Sequence, residues 1–74
     1  MNGATIQELL QSRPFEPFEV RMSNGDVHQI RNPEFAFVLR SRLVIGYPNT
    51  DRVALCSLIH IVSLEPIPSP QAAG

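Results

Sequence analysis

Cys56 and His60 are the residues whose types and spacing come closest to a catalytic pair in this 74-residue chain. A cysteine nucleophile needs a base within hydrogen-bond reach and a third group that orients the base. The two residues lie four apart across a predicted turn, so their side chains can meet, but so small a domain offers little room for a water-excluding pocket. We therefore interpret Cys56 as a buried apolar residue and His60 as a solvated one, and expect no enzymatic activity. A small enzyme using this pair is the third hypothesis for the function.

Four residues are candidate metal ligands, namely Asp26, His28, Cys56 and His60. Zinc sites in proteins draw their ligands from close pairs such as C-x-x-C or H-x-x-x-H. The four candidates form no such pair. The sequence therefore predicts neither a metal site nor a cofactor.

Arg40 and Arg42 are the best candidates for a contact with an anion or a partner. They lie two apart in a predicted turn, so both can point the same way and, with Arg31 or Arg52, hold a phosphate or a carboxylate by fork contacts. The alternative is a solvated turn whose charge keeps the strand ends soluble. The formal net charge of −1 and the lack of aromatic residues placed to stack on bases favour this alternative and disfavour nucleic acid.

The length of the chain indicates one domain with a thin stability margin, because so short a chain buries only about 60% of its unfolded surface. The single cysteine excludes an internal disulfide and fits a reducing compartment. The N-terminus lacks the features of a signal peptide, and no apolar run approaches the ~20 residues of a membrane helix. We expect a cytoplasmic protein with no membrane contact. Self-association is the remaining common source of additional buried area.

The N-terminal part of the chain predicts a short helix over residues 5–12. Thr5-Ile6-Gln7-Glu8 has the spacing of a capping box, in which Thr5 and Glu8 satisfy each other's backbone amides. Ile6, Leu9 and Leu10 then form one apolar stripe. Two turns of helix are unstable alone in water, so this stripe must dock on the rest of the domain.

A β-hairpin follows the helix. Apolar residues alternate with polar ones over residues 18–22, which predicts a half-buried strand. Asn24-Gly25 is the strongest two-residue hairpin signal, because both residues tolerate a positive φ. Val27 and Ile30 in the return strand have opposite parities, which indicates a G1 bulge at Gly25 or a bend within that strand.

Two apolar segments, residues 35–39 and 43–47, form the centre of the chain. They are apolar at both parities, whereas a strand with one solvated face would alternate. One face is expected to pack into the domain interior, and the other to be covered by the N-terminal helix or by a second copy of the chain. The candidate oligomer face consists of Phe35, Phe37, Val38, Leu43 and Ile45.

The last regular segments close the domain. Residues 52–56 alternate, with Val53 and Leu55 on one side and Ala54 and Cys56 on the other. Apolar residues then recur at every third position, which predicts a 3₁₀ turn over residues 57–60 and a strand over residues 61–65. Three prolines follow. Residues 1–65 are therefore expected to form a single domain, and residues 66–74 a flexible proline-rich tail.

Two segments resemble known proteins. FEVRMSNGDVHQI and VALCSLIHIVSLEP are similar to the first hairpin and the closing strands of Sm-like and SH3-like small barrels. Most of the chain also resembles a family of short uncharacterised bacterial proteins, which has the pattern PF-x-PF, NG, PEF, IG and L-x-x-I-x-x-L-E-P and no established activity. In this chain these elements are Pro14–Phe18, Asn24-Gly25, Pro33–Phe35, Ile45-Gly46 and Leu58–Pro66.

The Sm-like resemblance implies ring assembly and RNA binding. The RNA pocket of that family uses an Asp and an Asn in the loop after the second strand, and an Arg-Gly before the last strand. This chain has Asn32-Pro33-Glu34 and Ser57-Leu58-Ile59 in those places, so the nucleotide-binding residues do not carry over. The resemblance therefore implies the fold more strongly than the function.

These observations predict a mainly β protein, a small SH3-like or Sm-like antiparallel barrel or bent sheet of five or six strands with one N-terminal helix. The predicted function is that of a non-enzymatic protein-interaction module. Its expected partner is another copy of itself, in a dimer or a ring, and an unknown protein is the other candidate partner. An Sm-like RNA-binding protein is the alternative.

Overall fold

The computed structural model describes residues 2–67 and consists of one helix and two bent three-stranded antiparallel sheets. The mainly β architecture with one N-terminal helix is confirmed, and it takes the form of bent sheets rather than a closed barrel. The first sheet has the order β2-β1-β6 and the second the order β3-β4-β5. The elements are α1 (Gly3–Gln11), β1 (Phe18–Met22), β2 (Val27–Ile30), β3 (Ala36–Val38), β4 (Arg42–Tyr47), β5 (Arg52–Ser57) and β6 (Ile61–Pro66).

Helix α1 begins two residues earlier than the capping-box pattern predicts. Asn2 is the N-cap, and its Oδ1 accepts a hydrogen bond of 2.8 Å from the backbone N–H of Ala4. The predicted cap at Thr5 is therefore wrong, since Asn2 is an equally good cap one helical turn upstream. The predicted docking of the helix is confirmed by Ile6 and Leu10, which are both buried in the core.

The β1–β2 hairpin turns through a bulge. The N–H of Gly25 donates to the carbonyl of Met22 at 3.0 Å, and Gly25 has φ +95°. Among residues 2–67 the only non-glycine residue with a positive φ is Asp51, so Asn24 does not adopt the conformation of a two-residue turn. The return strand pairs with β1 without a register shift, and its two apolar residues have opposite parities because Val27 points to solvent while Ile30 points to the core.

A 3₁₀ turn at Pro33–Phe35 shortens the strand predicted over residues 35–39 to Ala36–Val38. Asn32 caps this turn, with its Oδ1 accepting from the N–H of Glu34 at 2.9 Å. A second 3₁₀ turn at Leu58–His60 leads into β6, as the three-residue periodicity predicts. Strand β6 extends one residue beyond the predicted strand, to Pro66, and the tail predicted from that residue on lies, after Ile67, outside the described residues.

The core lies between the inner faces of the two sheets and is completed by α1. The Gly3 end of the helix lies close to the inner side of the second sheet, where a Cβ on Gly3 would come within 3.1 Å of Val38 Cγ1 and 3.4 Å of Leu58 Cδ1. The helix therefore closes the core and leaves the opposite side of the second sheet uncovered. The buried apolar residues are Ile6, Leu10, Phe18, Val20, Ile30, Ala36, Leu43, Ile45, Cys56, Leu58 and Ile61.

Candidate functional site

The candidate anion contacts Arg40 and Arg42 lie at one end of the second sheet. Both side chains are exposed, and neither makes an ion pair within residues 2–67. The backbone of their connection is fixed by two hydrogen bonds, from the N–H of Leu39 to the carbonyl of Arg42 at 2.7 Å and from the N–H of Leu58 to the carbonyl of Ser41 at 3.0 Å. Arg31, which the sequence suggests as a further contact for the same anion, instead donates to Gln29 Oε1.

The candidate metal and catalytic residues differ in their exposure. Cys56 is 2% exposed in the core, whereas His60 is exposed. His28 pairs through Nδ1 with the hydroxyl of Tyr47 at 2.8 Å, which links β2 of the first sheet to β4 of the second. In the part of the chain that the structure describes, no three His, Cys, Asp or Glu side chains form a group that could hold a metal ion.

Burial shifts two acidic groups on the inner side of the second sheet. It raises the pKa of the Cys56 thiol, and the negative charge of Asp26 raises it further. Burial also raises the pKa of Tyr47, with a smaller contribution from Cys56. A raised pKa keeps Cys56 as a thiol at neutral pH, which is the opposite of what a cysteine nucleophile requires.

These shifts predict that the protein loses stability in alkali. Because Cys56 and Tyr47 ionise at lower pH in the unfolded chain, the unfolded state releases protons first, and the free energy of unfolding falls as pH rises above about 9. Urea unfolding at several alkaline pH values measures this dependence. The free energy of unfolding should fall less steeply with pH in Cys56→Ala and in Tyr47→Phe. An unchanged pH dependence in both variants contradicts the assignment of the effect to these two groups.

The outer side of the second sheet is apolar across all three strands. Phe37 of β3 is opposite Val44 of β4, and Val44 is opposite Leu55 of β5, so these three side chains share one row. Gly46 and Val53 pair in the next row, beside Phe35. We call this surface the outer apolar face, which consists of Phe35, Phe37, Leu39, Val44, Val53 and Leu55.

On the two edge strands of this sheet, β3 and β5, the distribution of size between the two sides is the reverse of what packing alone favours. On β3 the core side carries Ala36, which is 7% exposed, while Phe37 on the outer side is 55% exposed. On β5 the partly buried Ala54 faces inward, and Val53 and Leu55 are each 63% exposed. Large apolar residues are usually the ones that fill a core. Their position on the outer side therefore creates an exposed apolar surface that the domain itself does not cover.

The candidate oligomer face requires correction at three residues. Leu43 and Ile45 are 0% and 1% exposed, and their cross-strand partners Val38 and Ala36 share their inward side. Only Phe35 and Phe37 of the predicted set are on the outer side. The error arises because both parities of these strands are apolar, so the sequence does not distinguish the inner from the outer set.

Leu39, Val44, Val53 and Leu55 are the outer residues that the prediction omits. The alternation of β5 already separates Val53 and Leu55 from Ala54 and Cys56. A comparison of side-chain size between those two sides is the signal that could have identified them.

A depression of about 310 Å³ lies in the outer apolar face over Gly46. Phe35, Phe37 and Val53 line its apolar part, and a Cβ added to Gly46 would be 3.6 Å from the carbonyl oxygen of Phe35. The glycine therefore leaves space that a larger side chain in this row would occupy. Glu34, Asp51 and Arg52 border the same depression at the end of the sheet away from Arg42.

The outer side of the first sheet has a different composition. Arg21 of β1 lies at its centre and forms ion pairs with Glu19 at 3.0 Å and with Glu65 at 3.1 Å. Gln29 and Ser63 lie beside these residues on the same side. A charged and internally paired sheet face is typical of a surface that stays in water. The two outer sides of the molecule are thus one polar and one apolar.

No helix among the described residues is long and apolar enough to cross a membrane. Comparisons of this chain with protein-family models, with curated proteins and with solved structures find no match.

Proposed function

We propose that the protein is a non-enzymatic interaction module that associates with other copies of itself through the outer apolar face. The observation that carries this proposal is the exposure of Phe37, Val53 and Leu55, at 55–63%, while alanines occupy the core side of the same strands. The apolar area of the whole face is on the order of 500 Å², as large as the largest patch on a typical monomer.

The small size of the domain supports self-association. A 74-residue chain has a limited core, and among residues 2–67 its single cysteine is free and buried. Neither a disulfide nor a metal group within the described region adds stability. Burial of the outer apolar face against another copy stabilises the fold in the way common to domains of this size. The free thiol fits our proposal that the protein works in the cytoplasm.

Val53→Glu is expected to keep the protein monomeric at concentrations where the native chain associates. The charge would be buried in the interface without a partner, which is strongly unfavourable. Val62→Glu is the matched control, since Val62 is 64% exposed but lies on β6 of the other sheet. Sedimentation over a range of concentrations gives the mass of each variant. A native chain that stays at 8.2 kDa at the highest concentration contradicts the proposal.

RNA binding is the second candidate function, and the exposed pair Arg40 and Arg42 is the observation that favours it. The element order of Sm-like proteins supports it as a resemblance only. Because the formal net charge is −1, we expect no shift of single-stranded RNA at physiological salt. A salt-sensitive shift that Arg40→Ala with Arg42→Ala abolishes would favour RNA binding over the interaction module.

A further inference from the structure

We propose that two copies pack face to face about a two-fold axis that runs across the strands, with the row of Phe37, Val44 and Leu55 in each copy lying over the row of Phe35, Gly46 and Val53 in the other. This inference rests on the proposed self-association and specifies its geometry. A symmetric dimer requires a surface that is complementary to itself. The outer apolar face meets this requirement in shape, in charge and in area.

The shape of the face is self-complementary because a full row is next to a row with a gap. The row of Phe37, Val44 and Leu55 has three apolar side chains, whereas Gly46 leaves a gap at the centre of the next row. An axis between the two rows reverses the strand direction and places the full row of one copy over the gapped row of the other. Because this axis places each strand over its own counterpart, Val44 lies over Gly46, and a depression of about 310 Å³ has room for its side chain, since even benzene fits a cavity of about 150 Å³.

The charges at the two ends of the face favour the same axis. Arg40 and Arg42 make up one end, and Glu34 and Asp51, together with Arg52, are found at the other. The proposed axis brings Arg40 of one copy toward Glu34 of the other. An axis parallel to the strands would instead bring the two Arg40–Arg42 ends together, which is unfavourable for like charges.

The size of the face fits a two-fold dimer. The exposed apolar area on the order of 500 Å² is the centre of an interface, and the charged ends add a polar rim. Together they approach the roughly 800 Å² per partner of a standard interface. The second sheet presents this area on one continuous side. Sheets that pack face to face lie about 10 Å apart, a distance that the Phe37 side chain can span.

Gly46→Val tests the geometry. The added Cβ makes an ordinary contact of 3.6 Å with the carbonyl oxygen of Phe35, so the variant should fold as the native chain does. It fills the depression, and we therefore expect the dissociation constant to rise about tenfold or more. If the face associated only as a general apolar patch, the added side chain would leave the affinity unchanged or increase it. That result would overturn the proposed geometry.

Phe37→Ala is a second variant, which removes the aromatic side chain that the axis places over Phe35 of the other copy. Phe37 is 55% exposed in the monomer, so its loss leaves the core intact. We expect the dissociation constant to rise about tenfold, as for removal of a central aromatic contact. An affinity equal to that of the native chain would overturn the proposal, whether or not Gly46→Val folds.

A charge exchange tests the direction of the axis. Arg40→Glu and Glu34→Arg should each weaken association, and the double variant should restore it, because the two residues face each other across the proposed interface. A double variant as weak as the single ones excludes this axis. Self-association itself is judged separately, from the native chain and Val53→Glu, so a native chain that dimerises while Gly46→Val and Phe37→Ala bind normally refutes the geometry alone.

Discussion

Leu43→Ala is expected to lower the free energy of unfolding by about 3 kcal/mol, because Leu43 is 0% exposed between the two sheets and its loss leaves a cavity. Small domains have a total stability of only about 5 kcal/mol, so this variant should be close to unfolding at room temperature. The measurement is urea unfolding of both chains by circular dichroism, at a concentration low enough for both to be monomeric.

Leu55→Ala is the matched control for this experiment. Leu55 lies on the neighbouring strand and is 63% exposed, so the same substitution should change the stability of the monomer by no more than about 0.5 kcal/mol. At high concentration the native chain should gain stability through association, and Leu55→Ala should gain less, because the substitution removes part of the associating face. Equal losses for both variants at low concentration would mean that the two sides of the sheet are assigned wrongly.

Ile6→Ala is expected to have the second large effect, a loss of about 2–4 kcal/mol. Ile6 is 0% exposed and, with Leu10, docks a helix that is too short to form alone. Loss of this contact should release the helix and expose the core beneath it. Gln7→Ala is the control, since Gln7 is exposed on the same helix and alanine is a good helix former.

The two readouts of that experiment are helical ellipticity and the unfolding transition of the sheets. If the helix is an integral part of the core, both should change together in Ile6→Ala. Loss of helical signal with an unchanged sheet transition would show that α1 is accessory. In that case the core closes without it, and the small size of the domain is a weaker argument for self-association.

The first sheet was predictable from the sequence because polar and apolar residues are separated there. Phe18 and Val20 alternate with Glu19 and Arg21, so only one register buries the apolar set. The turn chemistry was less informative. Asn24-Gly25 identified the hairpin but left open a G1 bulge at Gly25 or a bend within the return strand, since that choice depends on how β1 and β2 pair over their length.

The second sheet was predictable as two strands but not as two faces. Phe37 and Val38 are both apolar, and so are Leu43 and Val44, so each register buries an equally apolar set. The position of α1 breaks this equivalence, because the helix lies on the Val38 side and completes the core there. Because α1 covers the Val38 side, Phe37 stays on the exposed side of the sheet and becomes part of the outer apolar face.

The sequence by itself determined the class of the fold, the order of its elements and the 3₁₀ turn before β6, since these depend on local periodicity and turn residues. Only the tertiary structure decided which side of β3, β4 and β5 meets the core. That choice depends on contacts between Ile6, Leu43 and their neighbours, which lie far apart in the chain. The tertiary structure also decided that the protein has one polar and one apolar outer side, because the exposure of Leu55 depends on how the two sheets pack.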